Sequence, residues 1–486
     1  MSPARLFTAI LFVALFTMSV REISDPDFWW HLRTGQYIVE TGTIPHTDPF
    51  AFTAQGKEWV THEWLSEVII YALYRVGELA LLTLVFAGII TLALGLVYWR
   101  SVGRPYLAGF ALLLGALATA PTWGVRPQMI SLLLMSVFLV LLDFYGAKDD
   151  WRFLVPLPIL TALWVNLHSG YALGLVVIGG YLIAGVAYRI SRITNRKLLI
   201  ASDASPVSDL QSSYLAPLVI TFALSFAAVL MNPNGARMYS YPFETLTSPA
   251  MQRYIQEWFS PDFHQVEWLP FALLILATLA TALIARAPVS LADILLLFVF
   301  GLAALRSARN VPLFAIVAVP VLAAQLAALI PLRATSNVVA VRMRWVNVVV
   351  LVGVVAVAMA RIGSVLGNQA VVERQKFPEA AVDWIEANRP APNLYNSYDW
   401  GGYLIWRLYP DYKVYIDGRA DVHGDAFIEQ FLNIYRGEPG WEDELGKRDV
   451  RVVLIEPSAP LAGVLGRSAN WVQAFADAQS VVYEKK

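Results

Sequence analysis

The chain has 486 residues, 57% of them apolar and only 15% charged, with a formal net charge of −1 and a mean hydropathy of +0.54. Soluble domains carry roughly 25% charged residues, so this composition excludes a disordered chain, a nucleic-acid binder working by bulk positive charge, and an ordinary soluble enzyme. It points to a polytopic membrane protein, and the absence of cysteine excludes disulfides, Cys-ligated zinc, iron–sulfur clusters and thiol catalysis.

A membrane span needs about 20 apolar residues. Runs of that kind predict eleven spans, near 4–20, 79–99, 105–122, 128–145, 153–167, 171–188, 214–231, 268–285, 289–305, 311–331 and 345–361. The first is like a signal-peptide core, but no Ala-x-Ala-like site follows it, so it reads as a retained helix. Residues 63–75 are apolar but short: an interfacial helix, or the first part of a long bent span. Basic residues favour one set of short connections, with Arg100 and Arg104, Lys148 and Arg152, Arg189, Arg192, Arg196 and Lys197, Arg286, then Arg333, Arg342 and Arg344. The positive-inside bias therefore puts the N-terminus in the cytoplasm, and an odd number of spans puts the C-terminal segment outside. The expectation is a multi-pass protein of the cytoplasmic membrane. Its transmembrane domain runs over 1–361, including a first outer loop at 21–78.

Residues 362–486 are of a different kind, holding 18 of the 37 acidic residues. Helical stretches are expected at 378–388, 401–408 and 426–435, and strands at 393–396, 413–416 and 450–455. Two shorter strands are expected near Trp471 and Val481. This predicts a soluble extracytoplasmic α/β domain with a small parallel or mixed sheet.

The first outer loop opens Ser24-Asp25-Pro26-Asp27-Phe28-Trp29-Trp30-His31-Leu32. Asp25 and Asp27 stand just past the first span, where a carboxylate can serve as a general base or hold Mg²⁺ or Mn²⁺. Pro26 breaks a regular helix through the pair, so Asp25 can instead cap a helix starting near Asp27. Asp27 and His31 would then share a face at i, i+4. The loop also carries His46-Thr47-Asp48 and Thr61-His62-Glu63-Trp64, with Glu63 and Glu67 again at i, i+4. His62 and Glu63 join the candidate site, as the histidines gather on the expected outer side.

Four polar clusters sit at the outer ends of later spans. They contain Arg126, then Asn166 and His168, then Asn232, then Arg306, Arg309 and Asn310. The last three are expected on one helical face. Charged groups at membrane depth are costly and mark function, and the guanidinium fork suits phosphate. Arg126, Arg306 and Arg309 are therefore expected to converge on an outward anion pocket; the alternative for each is snorkelling to lipid headgroups.

The motif Asp-Pro-Asp-x-Trp-Trp-His-Leu-x-x-Gly at residues 25–35 resembles that of bacterial members of the GT-C superfamily of integral-membrane glycosyltransferases. So do Tyr395-Asn396-Ser397-Tyr398-Asp399-Trp400-Gly401-Gly402-Tyr403 and Asp417-Gly418-Arg419. The architecture is similar to protein O-mannosyltransferases, aminoarabinose transferases and oligosaccharyltransferases. The resemblance implies transfer of a sugar, with inversion, from a polyprenyl-phosphate donor to a glycan, lipid or protein acceptor. Asp25 or Asp27 would act as base or metal ligand, and cationic residues would bind the leaving phosphate. The tandem glycines are alternatively a relaxed turn into a helix. Asp417-Gly418-Arg419 is either a turn with a local ion pair or a ligand site at strand ends. Two other classes compete: a polyprenyl-lipid transporter, and a non-catalytic scaffold for the cell envelope.

Overall fold

The computed structural model describes residues 1–101, 104–193, 215–285, 287–330 and 341–486. Arg196, Lys197, Arg286 and Arg333 lie outside the described residues, as do the side chains of Arg192, Arg342 and Arg344. All eleven apolar runs carry helices. These are α1 (Pro3–Ser19), and, after α2 (Asp27–Thr41) of the first loop, α3 (Trp64–Arg100), α4 (Pro105–Thr119), α5 (Gln128–Lys148), α6 (Pro156–Leu167), α7 (Tyr171–Ile193) and α8 (Leu215–Ala228). Two short helices, α9 (Tyr241–Thr247) and α10 (Pro249–Tyr254), precede α11 (Leu269–Ala285), α12 (Leu291–Arg306), α13 (Val311–Leu329) and α14 (Val341–Lys376). Among the described residues, seven helices are long and apolar enough to cross a membrane. α4 and α11 reach that length with the 3₁₀ turns that adjoin them, as Pro105–Thr122 and Val266–Ala285, whereas α1, α6, α8 and α12 have 17, 12, 14 and 16 residues.

The apolar stretch at the end of the first loop forms a helix from Trp64, which non-helical Gly77 (φ −153°) and Glu78 (φ 52°) separate from the span that follows within α3. These dihedrals interrupt the hydrogen-bond ladder and set a kink.

The chain forms two compact units. One holds Met1–Arg21, Thr83–Tyr239 and Gln256–Val365; the other holds Glu22–Leu82, Ser240–Ile255 and Leu366–Lys486. The unit with the C-terminal segment thus also takes in most of the first loop.

In the helical unit α4 packs against α1, α11 and α13. Small residues permit this. A Cβ on Gly115 would lie 2.3 Å from Val319 Cγ2, and one on Gly109 2.4 Å from the Phe7 ring. Small residues bring helix backbones close where no hydrophobic driving force operates between them. A second tie is ionic, built on the buried Arg100. Arg100 pairs with Asp143 of α5 (2.7 Å) and Asp293 of α12 (3.7 Å), and Tyr181 of α7 donates to Asp143.

In the second unit α15 (Glu379–Asn388) leads to β1 (Leu394–Asn396), α16 (Gly401–Leu408), α17 (Ala420–His423), α18 (Asp425–Tyr435) and α19 (Trp441–Lys447). Then follow β2 (Val452–Ile455), α20 (Pro460–Leu465), β3 (Trp471–Ala476) and β4 (Val481–Lys485). The sheet is mixed, in order β1-β2-β4-β3, with β1 parallel to β2 and the other pairs antiparallel. Residues 413–416 are not a strand. Val414 alone makes isolated bridges, to Ala51 of the first loop and to Leu394. Its neighbours are instead tied by side chains, as where Asn396 Oδ1 accepts from Tyr415 N.

Candidate functional site

The first motif builds α2. Asp25 Oδ1 accepts the Asp27 N–H at 3.0 Å, so Asp25 caps the first turn, and Asp27 sits at the positive end of the helix dipole. Asp27 Oδ1 accepts the Trp30 indole N–H at 3.1 Å. Both aspartates are half-buried. The far end is closed by Gly42 at φ 68°, a left-handed cap.

Three sequence motifs meet here at backbone distance. A Cβ on Gly418 would fall 1.8 Å from Asp27 Oδ1, one on Gly402 2.4 Å from the Pro26 carbonyl, and one on Gly401 2.2 Å from the Ile416 carbonyl. Gly401 is helical (φ −52°). The tandem glycines therefore serve close approach and do not relax a turn. Trp29 fills the floor, edge-on to Tyr403 and Phe377 at ring distances of 5.2 and 5.7 Å.

Arg419 is 2% exposed and makes a fork to Asp417 at 2.7 Å through both Nε and Nη2, while Nη1 reaches Asp48 Oδ1 at 2.6 Å. Its guanidinium lies over Trp59 and Phe50, 4.5 and 5.2 Å from the ring centres. Burial pushes the Asp417 carboxyl up, but Arg419 and then His423 outweigh it and hold it well below the usual carboxylate range. Asp417-Gly418-Arg419 is thus a buried ion-pair knot. It joins the first loop to the C-terminal segment within one unit.

His31 turns to the start of α3, where its Nδ1 lies 3.4 Å from Glu67 Oε1 and 3.7 Å from Glu63 Oε1. His31, Glu63 and Glu67 are 4%, 6% and 0% exposed. Among the described residues they are the group of three whose ligand atoms all lie within 4.8 Å of one another. This set is distinct from the Asp25–Asp27 pair that the sequence offers as metal ligands. His62 adjoins it: Nδ1 donates to the Val60 carbonyl (3.2 Å) and Nε2 lies 3.6 Å from Glu63 Oε1. The His62 ring lies 4.6 Å from that of Tyr241, tilted by 38°, and the Tyr241 hydroxyl donates to Asp421.

The remaining candidates lie in the helical unit. Arg126 and Arg309 converge on the carboxylate of Glu257, at 2.7 and 3.2 Å. Burial pushes the Glu257 carboxyl up, yet Arg126 and Arg309 outweigh it and bring it down to about 2. Arg309 also lies over Trp258. Arg306 does not share a helical face with Arg309 and Asn310. α12 ends at Arg306, Ser307 is extended (φ −148°), and a separate turn of 3₁₀-helix follows. The Arg306 side chain is exposed. Asn310 Nδ2 donates to the Ala303 carbonyl. Asn166 and Asn232 come together, Asn232 Nδ2 donating to the Val165 carbonyl at 2.8 Å and standing 3.4 Å from Asn166 Oδ1. His168 Nδ1 accepts from Gly170 N (3.0 Å) and Ser131 Oγ (2.8 Å), which fixes its proton on Nε2.

Sequence reasoning missed Glu257, for which no local signal exists. It singled out the Glu63–Glu67 spacing without placing Glu67 in the site.

No protein-family model matches the sequence, and no curated protein matches it. Solved structures do. An archaeal oligosaccharyltransferase, AglB from Archaeoglobus fulgidus, in complex with an inhibitory peptide and a dolichol-phosphate, superposes with a TM-score of 0.56 at 13% identity, covering 93% of this chain and 69% of that one. ArnT from Cupriavidus metallidurans, bound to undecaprenyl phosphate, superposes with a TM-score of 0.52 at 15% identity over 99% and 97% of the two chains. The arabinofuranosyltransferase AftD from Mycobacteria gives 0.50 at 13% identity, over all of this chain and 40% of that one. The chain has the fold these GT-C glycosyltransferases share, a membrane-helical part with a C-terminal α/β part, and is a multi-pass membrane protein.

Proposed function

We propose that this chain is a glycosyltransferase. It takes a sugar from a polyprenyl-phosphate donor and passes it to an acceptor on the outer face of the cytoplasmic membrane, with inversion. The observation that carries the reading is the seat of Asp27. It lies on the first turn of α2, shortly after α1, wedged against Gly418. A half-buried carboxylate just past an apolar helix is placed for a donor whose phosphate–sugar bond must lie at the membrane surface. The fold likeness supports it, since two of the superposing structures hold dolichol-phosphate and undecaprenyl phosphate.

The roles are assigned unit by unit. Asp27 takes the proton from the acceptor hydroxyl or amide as that atom attacks the sugar C1. The C1–O bond to phosphate breaks, and the polyprenyl phosphate leaves with the electron pair. Asp25 holds the turn that presents Asp27. Within the helical unit, Arg126 and Arg309 form a cationic pair of the kind that suits a phosphate. Arg126 and Arg309 share one carboxylate, so the pair keeps positive charge for an anion.

The test is incubation of the purified protein with a panel of polyprenyl-phosphate sugars and acceptors, with release of polyprenyl phosphate as the readout. Release dependent on Asp27 is expected. If no donor is consumed while labelled polyprenyl lipid crosses proteoliposomes, the protein is a transporter.

A further inference from the structure

The cluster of His31, Glu63 and Glu67 holds two carboxylates and an imidazole, each under a tenth exposed. Taking such charges out of water costs several kcal/mol per ion unless a counter-charge is close. Arg419, whose charge acts on Glu67, is already forked to Asp417 and bonded to Asp48. Glu67 adds a second observation: its Oε2 is buried and has no hydrogen-bond partner. Buried polar atoms are otherwise almost always satisfied, so the Glu67 carboxyl, whose Oε1 faces His31, has a second oxygen that no described residue satisfies.

The spacing says what fits. Separations of 3.4 and 3.7 Å between His31 Nδ1 and the two carboxylate oxygens are long for hydrogen bonds. They are close to the roughly 3.4 Å edge of a tetrahedron whose ligands stand about 2.1 Å from a central ion. The elements also suit a metal. Glu63 and Glu67 lie one turn apart at the start of α3, and the Glu67 N–H donates to the Glu63 carbonyl, which fixes their relative position. His31 projects from the middle of α2. Beside them, the His62 Nδ1–H is committed to the Val60 carbonyl, so the Nε2 that faces Glu63 carries the lone pair in the neutral ring.

We propose that His31 Nδ1, Glu63 and Glu67 bind one divalent transition-metal ion. The ion neutralises the buried carboxylates, and the His62 Nε2 stands 3.6 Å from Glu63 Oε1 beside it. One nitrogen and two carboxylate donors suit Mn²⁺ or Zn²⁺, whereas Mg²⁺ prefers an all-oxygen shell with several waters. Three protein ligands leave a position open, as metal sites that act on substrates do.

The experiment needs neither donor nor turnover, so it stands apart from the transfer reaction. The full chain, purified in detergent and stripped with a chelator, is titrated with Mn²⁺ followed by electron paramagnetic resonance, and separately with Zn²⁺. About one equivalent of either ion should bind, displace the other, and raise the melting temperature of the stripped protein. Excess Mg²⁺ should displace neither. Glu67→Gln and His31→Ala should each weaken binding at least tenfold. Glu67→Gln keeps the side-chain shape and should leave the circular-dichroism spectrum unchanged. Wild-type protein that binds neither ion above the Glu67→Gln background, or whose melting temperature ignores both chelator and metal, would overturn the site. The carboxylates would then share a proton, and Glu67→Gln would melt at or above the wild-type temperature.

Discussion

At the scale of single residues, the two aspartates of the first motif have separable tasks. Asp27→Asn keeps the shape and still accepts from Trp30, so the fold should survive, but a general base is lost. Turnover of the responsive donor should fall by about 10²–10⁴-fold. Asp25→Asn should lower it far less, because asparagine caps a helix nearly as well as aspartate. Equal losses from both substitutions, measured as polyprenyl-phosphate release, would show that Asp25 does more than cap. Arg419 is the opposite case, a charge whose task is internal. Arg419→Ala would leave Asp417 and Asp48, 0% and 3% exposed, without their cation. Removing one partner of a buried pair costs about 3–5 kcal/mol, so this variant should be recovered folded in low yield or melt far below wild type.

At the scale of elements, the crossing of α2 over α3 depends on Gly35. A Cβ there would stand 2.0 Å from the Glu67 carbonyl oxygen and 2.9 Å from Tyr71 Cβ. Gly35→Ala should push the helices apart, costing about 1–3 kcal/mol as overpacking does. It should carry His31 away from Glu67, which metal titration and the melting temperature would both register. Gly463→Ala is the control: it lies in α20, meets nothing within 4 Å, and should stabilise by about 0.5–1 kcal/mol. The segment carrying Glu257 is held by charge. Burial pushes its carboxyl up, but Arg126 and Arg309 outweigh burial and bring it down to about 2 from an ordinary 4.5. A lowered folded-state pKa contributes stability that is present above 4.5 and lost as pH falls toward 2. The melting-temperature gap between wild type and Glu257→Gln should therefore be full at neutral pH and close over that window. A gap independent of pH would mean that packing, not charge, holds the segment.

At the scale of the whole molecule, the proposed orientation puts the N-terminus and the connection after Arg189 inside and the C-terminal segment outside. Reporter fusions at Arg189 and Lys486 should report cytoplasm and exterior respectively. A cytoplasmic signal from Lys486 would remove the outer-face reaction. Assembly of the second unit asks more of the chain than insertion of spans. Glu22–Leu82, Ser240–Ile255 and Leu366–Lys486 must find one another, and loop-closure entropy opposes each long-range pairing until several contacts form together. Substitutions in either motif of that unit should therefore lower the yield of folded protein before they change membrane insertion.

The sequence by itself determined the membrane class, the eleven helical runs and the mixed α/β character of the C-terminal segment. Each depends on local hydrophobic runs or on a short-range period. It also marked the motif at residues 25–35, because Asp-Pro-Asp is a cap signal as well as a chemical one. Only the tertiary structure decided which charges meet. Arg126 finds Glu257 across 131 residues, His31 finds Glu67 across 36, and Arg419 finds Asp48 across 371. The same holds for residues 413–416, whose strand-like pattern ends as isolated bridges because Asn396 and the first loop claim their backbone. Arg306 and Arg309 sit at helical spacing, yet extended Ser307 separates them, held by its hydroxyl on the Glu257 carbonyl. Pairings of this kind follow from the shape and charge of surfaces that exist only once distant segments have packed, so no local period can announce them.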